Sequence, residues 1–271
     1  MLSSNVNTGV IVPLITPQHL PDLPVLLDHV VNGGVSAVFI LGTTGETLKL
    51  DQKQRIEVIT KSVKHLQSQV PLLVGISAAS LDDSLELMRI VHEEGAAAGV
   101  VVPHLWGGDG IEVMETLLSA SLGQLMLYNN PTLTANNCLS LEVVKRFAVE
   151  KRVLGIKDSS GDLNYFHQLL EVKENCQHFK LYYGQELHLV EVLNQNIDGV
   201  VLGAANLDPQ LVARVWQQKG KRIEPEWGAL CAQIRQAGEG DYILGLKRLL
   251  KQRGLLIDER LFNQPQVPDF V

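Results

Sequence analysis

Val153-Leu154-Gly155-Ile156 lead into Lys157, and Asp158-Ser159-Ser160-Gly161-Asp162 follow it. The apolar residues read as a short buried strand, which puts the lysine at the strand's carboxyl end. Lysine is almost never fully buried without a partner or a task. Burial disfavours the ammonium, and a neutral amine so placed can attack a carbonyl and form a Schiff base. The plain alternative is a lysine held in an ion pair by Asp158 or by a carboxylate elsewhere, since structural pairs perturb lysines too.

The elements that would position this lysine repeat along the chain. Short apolar, β-branched runs predict strands at Gly9–Ile15, Val35–Leu41, Leu72–Ile76, Gly99–Val102, Leu125–Tyr128, Val153–Lys157, Leu181–Tyr183 and Gly199–Leu202. Continuous apolar runs of this length suit parallel strands covered on both faces. Between them lie helical patterns: Leu23–Val31, Asp51–Gln67, Ser80–Glu94, Ile111–Leu122, Leu141–Val149, Leu163–Val172, Glu186–Leu193 and Pro209–Gln217. Ser80 reads as a helix cap and Gly95 as a stop. Strand ends recur about every 20 to 35 residues, the length of one strand–helix unit. Eight units in a chain of this size predict an α/β fold, a (β/α)₈ TIM barrel. A doubly wound sheet is the alternative, but no GxGxxG follows the first strand and no GxxxxGK[ST] occurs. Beyond Gln217, Pro225–Gln236 and Tyr242–Gln252 read as helices with no strand between them, and Asn263–Pro268 as an extended tail. The expectation is a single domain, with residues 1–218 as barrel and 219–271 as a helical extension packed on it.

Composition narrows the function. The chain has 271 residues, is 45% hydrophobic and carries a formal charge of −7. That charge argues against a nucleic-acid partner, whose binders usually show a basic footprint. Cys138, Cys176 and Cys231 lie far apart with no CxxC, so a zinc ribbon or redox motif is not expected. The eight histidines show no metal-ligand spacing, and no metal is expected. No apolar run approaches the ~20 residues of a membrane span. Met1-Leu2-Ser3-Ser4-Asn5 lacks the basic cluster and apolar core of a signal peptide. A reduced, cytoplasmic protein without membrane contact is the expectation.

In such barrels the loops at the strands' carboxyl ends build the site. The second strand ends in Gly42-Thr43-Thr44-Gly45-Glu46, the fourth in Val102-Pro103-His104, and the fifth in Tyr128-Asn129-Asn130-Pro131. The sixth ends in Lys157-Asp158, the seventh in Gly184, and the eighth runs into Gly203-Ala204-Ala205-Asn206. Glycines let a backbone approach a ligand, and the Thr43 and Thr44 hydroxyls beside successive N–H groups can hold a carboxylate. The same turn also serves as an ordinary strand-to-helix connection. Glu46 reads as a helix-start carboxylate rather than as a group orienting the loop. Tyr128 is either a core tyrosine or, beside a Schiff-base lysine, a proton shuttle. Gly107-Gly108-Asp109-Gly110 reads as a plain loop with Asp109 as helix cap, and less readily as a phosphate site.

Three of these stretches share an order and spacing with one known group. Gly42-Thr43-Thr44-Gly45-Glu46, Tyr128-Asn129-x-Pro131 and Gly155-Ile156-Lys157-Asp158-Ser159-Ser160-Gly161 resemble motifs of the dihydrodipicolinate synthase / N-acetylneuraminate lyase superfamily of class I aldolases. Asp198-Gly199-Val200-Val201 through Asn206 also looks like that group's eighth-strand region. The resemblance implies a (β/α)₈ barrel with carboxyl-terminal helices, assembled as a homo-oligomer, a dimer or a homotetramer. It implies that Lys157 forms the Schiff base with pyruvate or another 2-keto acid and that Tyr128 moves protons. Thr43 and Thr44 would hold the keto acid's carboxylate, with Thr44 also in the proton relay. Gly42, Gly184 and Gly203 would line the substrate site. The protonated imine would itself be the electron sink, so no organic cofactor is implied.

The sequence also departs from that group. The synthases carry an arginine five residues after the motif tyrosine, for a second carboxylate; here the position is Leu133, which cannot make a bidentate ion pair. The group's second tyrosine, shared across the dimer, is replaced by the stretch Pro103-His104-Leu105-Trp106, where His104 is a candidate substitute proton carrier. The leading expectation is a Schiff-base lyase or aldolase acting on a 2-keto acid, such as a 2-keto-3-deoxy sugar acid. Alternatives are a divergent dihydrodipicolinate synthase using pyruvate and aspartate semialdehyde, a keto-acid-binding protein without turnover, and a phosphate-binding barrel enzyme using Gly107–Gly110.

Overall fold

The computed structural model describes residue 6 and residues 8–120, 123–219 and 225–262; the expected tail at Asn263–Pro268 and the stretch Met1–Asn5 lie outside the described residues. The apolar runs form parallel strands β1 (Gly9–Pro13), β2 (Ala37–Ile40), β3 (Leu72–Gly75), β4 (Ala98–Val101), β5 (Leu125–Asn129), β6 (Val153–Asp158), β7 (Lys180–Tyr183) and β8 (Gly199–Val201). β1 pairs with both β2 and β8, so the sheet closes on itself and the doubly wound alternative is excluded.

Between the strands run α1 (Leu23–Asn32), α2 (Gln52–Leu66), α3 (Leu81–Glu93), α4 (Ile111–Ala120), α5 (Leu141–Ala148), α6 (Leu163–Asn175) and α7 (Leu189–Leu193), with α8 (Pro209–Gln218) after β8. Their starts are written in the sequence. Asp51 and Gln54 form a reciprocal capping box on α2, and Ser80 accepts from the Asp83 N–H on α3. The helix expected over Glu186–Leu193 begins only at Leu189, because His188 turns left-handed at φ 57°. Glu186 therefore stays in the loop after β7. α9 (Pro225–Ala237) and α10 (Tyr242–Gln252) pack against each other, and α9 also against α8.

Two apolar layers follow from strand alternation. One set of side chains meets the helices. The other, including Ile11, Phe39, Leu73, Val100, Met126 and Tyr182, fills the barrel. Lys157 falls on the inward set of β6, Ile156 and Asp158 on the outward set. β5 and β6 pair with Tyr128 opposite Lys157 and Asn129 opposite Asp158. The outward pair locks that register: Asn129 Nδ2 donates to Asp158 Oδ1 at 2.7 Å, and Asn129 Oδ1 accepts from the Leu139 N–H at 2.8 Å. A one-residue slip would turn Lys157 out of the barrel.

Candidate active site

Lys157 is 5% exposed and stands at the top of the barrel interior. Its Nζ lies 4.2 Å from the Tyr128 ring centroid and 5.1 Å from that of Phe39. Asp158, the neighbouring carboxylate that would have made it an ordinary ion pair, faces the other way. Asp158 accepts from Asn129 and from the Ser160 N–H and hydroxyl. Burial pushes its carboxyl up to about 6, against the pull of those bonds.

The Lys157 stem needs room, and Gly184 supplies it. A Cβ at Gly184 would sit 2.7 Å from Lys157 Cε and 2.3 Å from Ser159 Oγ. Gly203 likewise clears the ring of Tyr242, which a Cβ would meet at 2.6 Å. Both glycines line the cavity that holds Lys157. Gly42 does not; a Cβ there would press on the Phe39 ring beneath.

That cavity has a volume of about 320 Å³. It brings together Thr43, Thr44, Tyr128 and Lys157, with Gly184 and Gly203, from five strand ends. The hydroxyl that meets the Tyr128 phenol belongs to Thr43, at 3.2 Å. Thr44, for which the resemblance implied a place beside that phenol, lines the same cavity. Burial opposes ionisation of the Tyr128 phenol, but the charge on Lys157, with bonds from Thr43, Ser159 and Lys157, holds it below the usual phenol range.

Glu46 does stand at a helix start, before the 3-10 turn Thr47–Lys49, but its side chain does not cap that turn. It is a buried anchor, so the loop-orienting reading fits it better. Its carboxylate accepts from Lys247 of α10, from Lys49 at 3.2 Å and from the Phe262 N–H at 3.0 Å. Arg55, itself buried, donates through Nε and Nη2 to the Thr47 carbonyl, at 3.1 and 2.9 Å. The Thr43–Thr44 turn is thus held from α2 and from the carboxyl-terminal helices.

The stretch that replaces the second tyrosine is committed elsewhere. His104 Nε2 donates to the Asn137 carbonyl at 3.1 Å, burial lowers its basicity, and it faces a separate depression with Gly107, Gly108, Asp109 and Cys138. Trp106 Nε1 donates to the Ala78 carbonyl. Asp109 caps α4 by accepting from the Ile111 N–H at 2.9 Å, as expected of a plain loop. The Gly107–Gly110 loop lines that depression and not the Lys157 cavity, which removes the phosphate reading from this site.

Sequence reasoning missed the rest of the polar lining: Asn130, Thr132, Ser159, Gln185, Glu186 and Tyr242. Asn130 and Ser159 sit inside stretches already singled out. Tyr242 had no local signal, since it reaches the mouth only because α10 packs there. Its hydroxyl donates to Glu186 Oε1 at 2.5 Å. Lys157 and Glu186 are the ionisable side chains of opposite sign among the lining residues, and no second cation joins them there. Leu133 packs against the barrel-interior cluster. Among the described residues no group of three or more His, Cys, Asp or Glu is placed to hold a metal ion, and no helix is long and apolar enough to cross a membrane.

Comparison with known proteins agrees with this geometry. The model of the dihydrodipicolinate synthetase family matches residues 4–261. A 4-hydroxy-tetrahydrodipicolinate synthase of Ruthia magnifica is 31% identical over 220 residues, covering 78% of this chain and 73% of the relative. An Escherichia coli protein provisionally named a 2-dehydro-3-deoxy-D-gluconate aldolase is 28% identical, covering 78% and 74%. The solved dihydrodipicolinate synthase of Bacteroides thetaiotaomicron superposes with a TM-score of 0.87 at 30% identity, covering 95% of this chain and 92% of that one.

Proposed function

The chain belongs to the dihydrodipicolinate synthetase family, and from that premise we propose that it is a carbon–carbon lyase whose Lys157 forms a Schiff base with pyruvate or another 2-keto acid. The observation that carries this reading is Lys157 itself: buried, turned from Asp158, and set against a phenol already hydrogen-bonded to Thr43.

The amine adds to the keto carbon and gives a carbinolamine. Loss of water then leaves an iminium, with Tyr128 carrying protons to and from the departing oxygen. The iminium stabilises an enamine at the adjacent carbon. That enamine adds to an aldehyde, or is released when the C–C bond breaks in the reverse direction. In this reading Thr43 and Thr44, which line the same cavity, hold the keto acid's carboxylate. The iminium is the electron sink, so the reading uses neither metal nor organic cofactor.

The outer lining favours a hydroxylated tail on the substrate. Thr132, Ser159, Gln185, Glu186 and Tyr242 offer hydroxyl, amide and carboxylate groups, and Leu133 occupies the sequence position at which the synthases carry the arginine for a second carboxylate. A 2-keto-3-deoxy sugar acid fits those groups. The likeness to a 4-hydroxy-tetrahydrodipicolinate synthase supports the second reading, turnover of pyruvate with aspartate semialdehyde. The reading carries with it a cytoplasmic homo-oligomer, dimer or tetramer, which light scattering would check.

The test is borohydride trapping. Reduction in the presence of pyruvate should leave a stable adduct on Lys157, located by mass spectrometry. No adduct with pyruvate, glyoxylate or longer 2-keto acids would remove the lyase reading and bring forward the keto-acid-binding one. Once the adduct is found, cleavage of 2-keto-3-deoxy sugar acids against turnover of aspartate semialdehyde separates the two substrate readings.

A further inference from the structure

We propose that Asn130 is a positioning residue of this site, whose side-chain amide, held by Thr132, donates to the Tyr128 phenol and the Thr43 hydroxyl together and so holds the two oxygens as a pair and favours the phenolate form of Tyr128. The proposal rests on the Schiff-base reading above and deepens it.

Asn130 follows β5 directly and is 4% exposed. Its Nδ2 lies 2.9 Å from the Tyr128 oxygen and 3.0 Å from Thr43 Oγ1, and those two oxygens are 3.2 Å apart. The three atoms form a nearly equilateral triangle. An amide nitrogen only donates. Each oxygen therefore already accepts from Asn130. Of the two hydroxyl protons, one fills the side between Tyr128 and Thr43, and the other is left for Ser159, beside the phenol, and the cavity. A hydroxyl in place of the amide could reverse its role; the amide nitrogen cannot.

The amide is itself oriented. Thr132 Oγ1 donates to Asn130 Oδ1 at 2.6 Å, which fixes the oxygen outward and the nitrogen inward. The backbone is fixed too, since the Asn130 carbonyl accepts from the Leu133 N–H at 3.0 Å. A donor aimed at a phenol oxygen favours its deprotonated form. The same donor steadies the oxygen while it hands a proton to the carbinolamine hydroxyl and while it takes one back. Asn130 touches the relay, not the reacting carbon, which is why its role is positioning.

The molecule offers a direct readout that needs no substrate. The chain has five tyrosines. Burial pushes the phenols of Tyr165, Tyr182 and Tyr242 up, and Tyr183 to about 12, whereas Tyr128 is held below the usual range. The first phenolate to appear as pH rises should therefore be that of Tyr128, and loss of that step in Tyr128→Phe would assign it.

The experiment is an ultraviolet pH titration of the ligand-free protein, paired with a quenched time course of borohydride-trapped imine. Asn130→Leu should move the first phenolate step up by about one to two pH units and slow imine formation by about 10- to 100-fold at fixed pH. The KM for pyruvate should stay near its wild-type value, and the rate should recover as pH is raised. Asn130→Asp should move the step at least as far, since a carboxylate accepts where the amide donates. Thr132→Val should shift it the same way by less, and it carries the test if Asn130→Leu does not fold. A step that stays in place in Asn130→Leu, with only a lower melting temperature, would make Asn130 structural and overturn the proposal. So would wild-type behaviour in Asn130→Asp, which would mean that the amide presents its oxygen. If wild-type protein traps no imine, the lyase reading fails while the titration still reports on Asn130.

Discussion

Lys157 and Lys247 are both almost wholly buried, at 5% and 0% exposure, yet the two regions around them treat an amine differently. At the junction of the Thr43–Thr44 loop with α10, Lys247 donates to the Glu46 carboxylate and to the Arg260 carbonyl at 3.0 Å, with the Phe262 ring centroid 4.9 Å away. Burial lowers its basicity and Glu46 works against that. Every partner there belongs to the protein. In the barrel mouth, Lys157 meets two aromatic rings, makes no ion pair among the described residues, and opens onto a cavity. A buried lysine with a buried carboxylate ties two segments together. One whose neighbouring carboxylate in the strand lies on the opposite face, and which opens onto a cavity, is left for a ligand.

The comparison breaks first at the lysines. Lys157→Met should abolish trapping by borohydride and lower turnover on the order of 10⁴- to 10⁶-fold. Circular dichroism and melting temperature should stay near wild type, because no partner is stranded; a large loss of stability would make Lys157 a structural residue like Lys247. Lys247→Met should do the reverse. It strands the Glu46 carboxylate, which broken buried pairs suggest costs about 3–5 kcal/mol, read by denaturant unfolding. What remains folded should still trap pyruvate on Lys157. Unchanged stability would show that the pair is not the anchor described.

A smaller effect sharpens the role of Asp158, the carboxylate that does not pair with Lys157. Its folded carboxyl is raised to about 6, above the ~3.9 of an unfolded chain. The sign follows: the folded state holds its proton longer, so this contribution is complete below about 4 and lost as pH rises through about 6. Relative to Asp158→Asn, wild type should lose about 3 kcal/mol of stability across that window. A difference that stays flat with pH would mean that burial does not penalise this charge.

Much of this was legible in the chain. Each of the eight apolar runs became a strand within a few residues, because short β-branched runs suit parallel strands covered on both faces. The strand ends that carry Thr43, Thr44, Tyr128 and Lys157 met in one cavity because parallel strands in a closed barrel present their carboxyl ends at one face. The anchoring role of Glu46 was not legible, since its partners Lys247 and Phe262 lie 201 and 216 residues away and leave no local trace. Tyr242 was invisible on similar grounds. Asn130 was in plain sight beside Tyr128, but nothing in its spacing says that its amide bridges two hydroxyls.

What the sequence by itself determined is the set of groups and their order: an inward lysine at the end of β6, a tyrosine at the matching place on β5, and hydroxyls on a glycine turn after β2. Alternation along a strand is enough for that, since period two fixes which face each residue takes. What only the tertiary structure decided is how those groups are biased. Pairing of β5 with β6 set Tyr128 against Lys157, the Asn129–Asp158 bond held the adjacent carboxylate on the outer face, and α10 brought Lys247 to the loop after β2 and Tyr242 to the loop after β7, both distant in sequence. Burial and hydrogen bonding act through space, and only the folded chain determines which distant residues share it.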